Sequence, residues 1–278
     1  MNSTLIALAV APSLVGAATL VARRFGPRAG GVVSAFPAIV GPVLLILALA
    51  HGRSFAAHAA NGTLLGLVSL AAFSLVYGRT ALRHGWPISL LAGWACAAMA
   101  ALAVGLLAGG AGSPAGLLIA AAALTAAWRA LPAAGVSVGS PAARPRRGMT
   151  ALRMATAALL VALLSAAAGA LGAVAGGMLA ALPVLACVLA VFTHREAGAP
   201  SAIGLLRGLL AGMASFVVFC QLIAMLTGRY GVAAAFAAAS LAAVIVQVYS
   251  VHSTLRRQSS APSAAVAAAA GSLRRQSS

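Results

Sequence analysis

The chain alternates between long apolar runs and short polar connections that carry almost all of its charge. A helix needs about 20 apolar residues to cross roughly 30 Å of hydrocarbon. Runs that meet this lie at 3–22, 31–50, 57–77, 87–109, 112–131, 150–171, 173–193, 203–226 and 231–252, which predicts nine transmembrane helices. The stretch 150–193 is too long for one span, so it is divided at Gly169-Ala170-Leu171-Gly172. The alanine-rich segment 261–272 is too short and too weakly apolar for a tenth.

Composition turns this pattern into a class. Of 278 residues, 63% are hydrophobic and 7% charged, with a mean hydropathy of +1.06. A soluble domain is about 45–50% apolar and about 25% charged, so this chain lacks the polar surface to cover a water-soluble globule. A soluble enzyme, a secreted disulfide scaffold and a disordered protein are excluded. The expected fold is all-α, a polytopic integral membrane protein.

All 18 basic residues are arginine, and Glu196 is the only acid. Paired-carboxylate catalysis, oxygen-ligand metal cages and a Ser-His-Asp triad all need carboxylates that are absent. The expectation is therefore no enzyme, no catalytic residues, no metal and no cofactor. A net charge of +17 would suggest nucleic acid in a soluble domain. Here the arginines lie between apolar spans, which points to anionic lipid headgroups rather than to nucleic acid. Cys96, Cys187 and Cys220 fall inside apolar runs and read as small buried hydrophobes.

The arginines also orient the spans. With nine spans, 16 of them fall on one face, counting Arg207 as snorkelling back to it, and only Arg53 and Arg229 on the other. The positive-inside rule then puts the N-terminus outside and the C-terminus on the cytoplasmic side of the cytoplasmic (inner) membrane. Trp86, Trp128, Tyr77 and Tyr249 are expected at the inner interface, where amphipathic rings collect.

An internal repeat runs through the same spans. Ala29-Gly30-Gly31-Val-Val-Ser-Ala35-Phe-Pro37 matches Ala175-Gly176-Gly177-Met-Leu-Ala-Ala181-Leu-Pro183 at five of nine positions, 146 residues apart. Gly62, Leu64, Gly66 and Leu67 align with Gly204, Leu206, Gly208 and Leu209, 142 apart. The resulting plan has a first four-helix unit (1–109), a connecting helix (110–131), a cytoplasmic linker (132–149), a second unit (150–252) and a basic tail (253–278). The odd fifth span inverts the second unit, giving a 4+1+4 inverted repeat. Inverted repeats with helices interrupted at corresponding positions are typical of secondary transporters, whose sites lie near the midplane.

Pro37 and Pro183 are such a pair, and Pro42 is expected to break the second span again. With Ser34 they are candidates to line a solute site; the alternative is that they only kink helices for packing. Gln221 and Gln247 are the strongest uncharged polar groups within spans, and Gln221 joins the solute-binding candidates. Interhelical hydrogen bonding is the competing role for both. Glu196, in Thr193-His194-Arg195-Glu196, reads either as a gate with His194 or as a helix-end salt bridge. No acid lies inside a span, which excludes proton coupling through a buried carboxylate. Gly62/Gly66, Gly204/Gly208 and Gly105/Gly109 have helix-packing spacing, and the first two pairs predict equivalent contacts across the repeat. The repeated Leu-Arg-Arg-Gln-Ser-Ser at 255–260 and 273–278 would attract anionic lipid.

The Ala-Gly-Gly…Phe-Pro segment (29–37) followed by Gly62-x-x-x-Gly66 resembles the GlpM-like small four-span membrane proteins. The duplicated plan also resembles the drug/metabolite transporter superfamily. That resemblance implies a small-molecule exporter or exchanger. The chain departs from it in lacking the first-span glutamate of the small multidrug exporters, so proton-driven cation export does not carry over. The expected function is a secondary transporter for a small neutral or anionic solute, with a homo-oligomer as an open possibility. The alternative is a non-transporting structural or assembly factor of the membrane.

Overall fold

The computed structural model describes residues 2–38, 40–108, 110, 112–132, 150–160, 163 and 183–276. Among these the chain is entirely helical. That follows from apolar sequence, because a lipid-facing backbone must satisfy its own polar groups, and within one segment only a helix does so. The helices are α1 (Asn2–Phe25), α2 (Pro27–Ser34), α3 (Val40–His51), α4 (Arg53–Thr80), α5 (Trp86–Ala108), α6 (Ser113–Ala130), α7 (Thr150–Leu160), α8 (Val184–Tyr230) and α9 (Val232–Gln276).

Four of the described helices are long and apolar enough to cross a membrane: α4, α5, α8 and the Val232–Arg256 part of α9. α5 and α9 also present large apolar side chains outward. Leu106, Leu107, Leu241 and Tyr249 are all exposed. In water such faces would drive aggregation; lipid accepts them.

Helix ends follow the local chemistry. Among the described residues four glycines adopt positive φ, and each joins two helices through a single residue: Gly26 (φ 90°), Gly52 (90°), Gly198 (79°) and Gly231 (85°). A side chain at such a φ would strain the turn. Gly198 divides α8 into two arms, with Pro200 just beyond it. All four glycines also share an extended ψ, 161°, 174°, 173° and 169° in chain order.

The expected interruption at Pro37 divides the second span: α2 ends at Ser34, residues 35–38 turn, and α3 resumes at Val40. Pro37 cannot continue α2 because it lacks an N–H and its ring excludes the preceding turn. Pro42 makes no second break. It sits third in α3, within the first turn, where its missing N–H has no helical partner to lose. At the C-terminus, helix α9 does not stop where the apolar run does. Its 45 residues continue to Gln276, and at about 1.5 Å per residue they reach about 67 Å, twice the hydrocarbon thickness. The divide at 169–172, the linker from 133 to 149 and the repeat window 175–182 lie outside the described residues.

α4 and α8 form the packing axis. α4 packs on α5, α6 and α8, and α8 packs on α2, α4, α6 and α9. Phe73, Tyr77, Leu64, Ile203, Leu206 and Ile223 are fully buried along it. α2 lies between α1 and α8, and its glycines make that fit. A Cβ on Gly30 would lie 2.7 Å from the Ala18 carbonyl of α1, and one on Gly31 would lie 2.0 Å from the Leu205 carbonyl of α8.

Candidate functional site

The broken second span is where buried polar groups gather. Losing the helix after Ser34 leaves the last carbonyls of α2 without their usual i+4 donors. The chain supplies others. Val32 O accepts the Ala35 N–H at 3.2 Å, and Val33 O accepts the Phe36 N–H at 3.3 Å. From α9, Gln247 Nε2 donates to Val32 O at 2.6 Å, while its Oε1 accepts the Ser215 hydroxyl of α8 at 2.6 Å. Ser215 shares that proton with the Gly212 carbonyl at 2.9 Å. One buried glutamine thus ties α2, α8 and α9 together at the break.

The sequence candidates distribute unevenly around this point. Ser34 and Pro37 are buried at the break, with the Ser34 hydroxyl donating to Gly31 O at 2.7 Å. Pro42 is half-buried in the first turn of α3. Pro183 caps the N-terminus of α8, and the Cys187 N–H donates to its carbonyl at 2.9 Å. Gln221 belongs to a different contact, donating from Nε2 to the Ser113 hydroxyl of α6 at 3.1 Å. Gln247 and Ser215 hold the break, yet only Gln247 carried a sequence signal as a polar residue within a span. Ser215 is one of many serines in apolar surroundings, and nothing in its spacing distinguishes it.

A second polar constellation lies where the end of α4, the start of α5, the end of α6 and the middle of α8 meet. Arg79 and Arg207 both donate to carbonyls closing α6: Arg79 to Ala130 O at 3.3 Å, Arg207 to Leu131 O at 2.6 Å and Pro132 O at 3.0 Å. Cations suit that end of a helix because its carbonyls carry the negative pole of the dipole. Arg207 also covers the Trp128 ring at 5.1 Å, and Arg195 covers Trp86 at 5.5 Å. In the turn before Gly198, Thr193, His194 and Glu196 of α8 are engaged differently. Thr193 is buried, His194 Nδ1 lies 3.2 Å from the Tyr77 hydroxyl of α4, and Glu196 Oε2 accepts from Arg153 Nη2 of α7 at 2.6 Å.

Of the two readings of Glu196, the salt bridge is the one found: Glu196 meets Arg153 of α7, while His194 turns to α4. Tyr77 does not present its ring outward; it is fully buried between Phe73 and His194. The paired glycines also part company. A Cβ on Gly208 would lie 1.9 Å from the Arg28 carbonyl, whereas one on Gly62 or Gly66 meets nothing within 4 Å among the described residues. Compared with protein-family models, curated proteins and solved structures, the chain matches none.

Proposed function

We propose that this integral membrane protein is a secondary transporter that moves a small neutral or anionic solute by alternating access. The observation that carries the proposal is the interrupted second span. A helix broken inside a bundle presents backbone groups that solute or water can reach when neighbouring helices move, which is how many transporters build their sites. Gln247, Ser215 and Ser34 supply the polar groups beside that break. In this reading nine spans form a 4+1+4 inverted repeat. The paired prolines Pro37 and Pro183, 146 residues apart, are what support it. The arginine-rich end faces the cytoplasm of the inner membrane and contacts anionic headgroups, with the N-terminus outside. The resemblance to GlpM-like and drug/metabolite-transporter architectures agrees with the plan, and the chain performs no enzymatic chemistry.

One observation favours the alternative, a structural or assembly factor: Ser34, Ser215 and Gln247 already hydrogen-bond to protein groups, as in a dry packing core. Thiol accessibility separates the two. In a chain whose three cysteines are replaced by alanine, Ser34→Cys and its repeat partner Ala180→Cys are exposed to an impermeant thiol reagent from each side. Arg83→Cys and Arg229→Cys serve as controls for the two ends. Reaction at the two span positions from at least one side is expected for a transporter. Silence there, with both controls labelled, refutes transport through this break and leaves the assembly factor.

A further inference from the structure

Arg153, in the first turn of α7, is buried, with about 5% of its side chain exposed. A guanidinium held that far from water needs a counter-ion, and the chain has only one carboxylate to offer. Glu196 meets it through a single contact, Nη2 to Oε2 at 2.6 Å. Thr19 of α1 accepts from Nη1 at 3.3 Å, having given its own proton to Val15 O at 2.7 Å. Phe192 lies under the guanidinium at 5.5 Å. The fit is incomplete: Arg153 Nε and Glu196 Oε1 are both buried without a hydrogen-bond partner among the described residues. Guanidinium–carboxylate pairs are frequently bidentate, with two parallel bonds. This one makes a single bond and leaves Nε and Oε1 over.

The position of Glu196 gives that incompleteness a use. It stands two residues before Gly198, the positive-φ break between the arms of α8, with Pro200 following. Its contact with Arg153 is the ion pair, among the described residues, that holds this turn of α8 to α7.

We infer that Arg153, positioned by Thr19 and Phe192, forms a binding site for a small carboxylate- or phosphate-type anion, and that Glu196 is a tethered anion occupying it. An incoming anion exchanges with Glu196 at the guanidinium, so Arg153 is never left unpaired. The released turn of α8 then swings about Gly198. No covalent bond changes; one anion replaces another. The role of this exchange in opening the arginine-rich end rests on the transport reading, while the binding itself does not. A tethered carboxylate competes at high effective concentration, so removing it must strengthen binding of the free anion.

The test uses the purified full-length chain and sodium acetate as probe, titrated against sodium chloride at equal ionic strength. The thermal midpoint of Glu196→Ala is expected to rise saturably with acetate, with half-saturation at least ~10-fold below that of the unmodified chain. The double variant R153M/E196Q is expected not to respond. A second readout needs no change at the ion pair. Thr193→Cys in the cysteine-free background is buried beside the break, and acetate is expected to raise its labelling rate several-fold. Equal half-saturation with and without Glu196, a response that survives R153M/E196Q, or Thr193→Cys labelling indifferent to acetate overturns the inference. If Ser34→Cys stays dry while acetate still binds, the transport reading falls and the anion site stands. The converse removes the anion site alone.

Discussion

Replacing Gly208 with alanine tests the tightest backbone approach in the bundle. The added methyl would lie 1.9 Å from Arg28 O and 2.8 Å from its carbonyl carbon. A carbon–oxygen contact relaxes at about 3.3 Å, so α2 and α8 would have to part by more than about 1 Å. No rotamer change relieves this, because the struck atoms are backbone. Parting the helices also stretches the Gln247–Val32 bond, which is 2.6 Å long, and opens the seat of Gly212 against Val32 and Ala35. Overpacking usually costs about 1–3 kcal/mol, and with backbone on both sides G208A belongs near ~3 kcal/mol. Gly31→Ala, aimed at Leu205 O at 2.0 Å, should cost a similar amount. Gly62→Ala is the control. It meets nothing within 4 Å, and exchanging glycine for alanine within a helix favours the helix by up to ~1 kcal/mol. The assay is equilibrium unfolding of the purified chain in mixed micelles of increasing SDS fraction. A G208A midpoint equal to that of the unmodified chain, or a G62A loss as large as that of G208A, would refute the close approach of α2 and α8.

Further outcomes follow from the same geometry. Gln247→Leu should destabilise by about 1–3 kcal/mol in the same assay, because it removes a donor from buried Val32 O and an acceptor from Ser215; Gln221→Leu, losing one half-buried contact at 3.1 Å, should cost less. Gly52→Ala and Gly198→Ala should each lose about 1–2 kcal/mol from forcing a side chain into positive φ, and a neutral result at either position would contradict the turn conformation found there.

Much of this molecule was legible before any coordinates. Apolar run length and an almost charge-free composition dictate membrane helices, since these properties act segment by segment and need no knowledge of neighbours. The stop at Pro37 was legible for the same reason: proline acts on its own turn. Pro42 misled because its effect depends on where the helix starts, and α3 begins only two residues before it.

Tertiary structure alone decided which groups meet. The Arg153–Glu196 pair spans 43 residues and the Gln247–Val32 bond 215. Neither separation leaves a trace in local spacing. Gly62 and Gly208 share the same small-residue pattern, yet only Gly208 faces a helix close enough to need it. Composition and periodicity state what each segment can bury. Which face is covered, and by what, is settled only when α2 wedges between α1 and α8, because a contact is a property of two surfaces and the sequence pattern describes them one at a time.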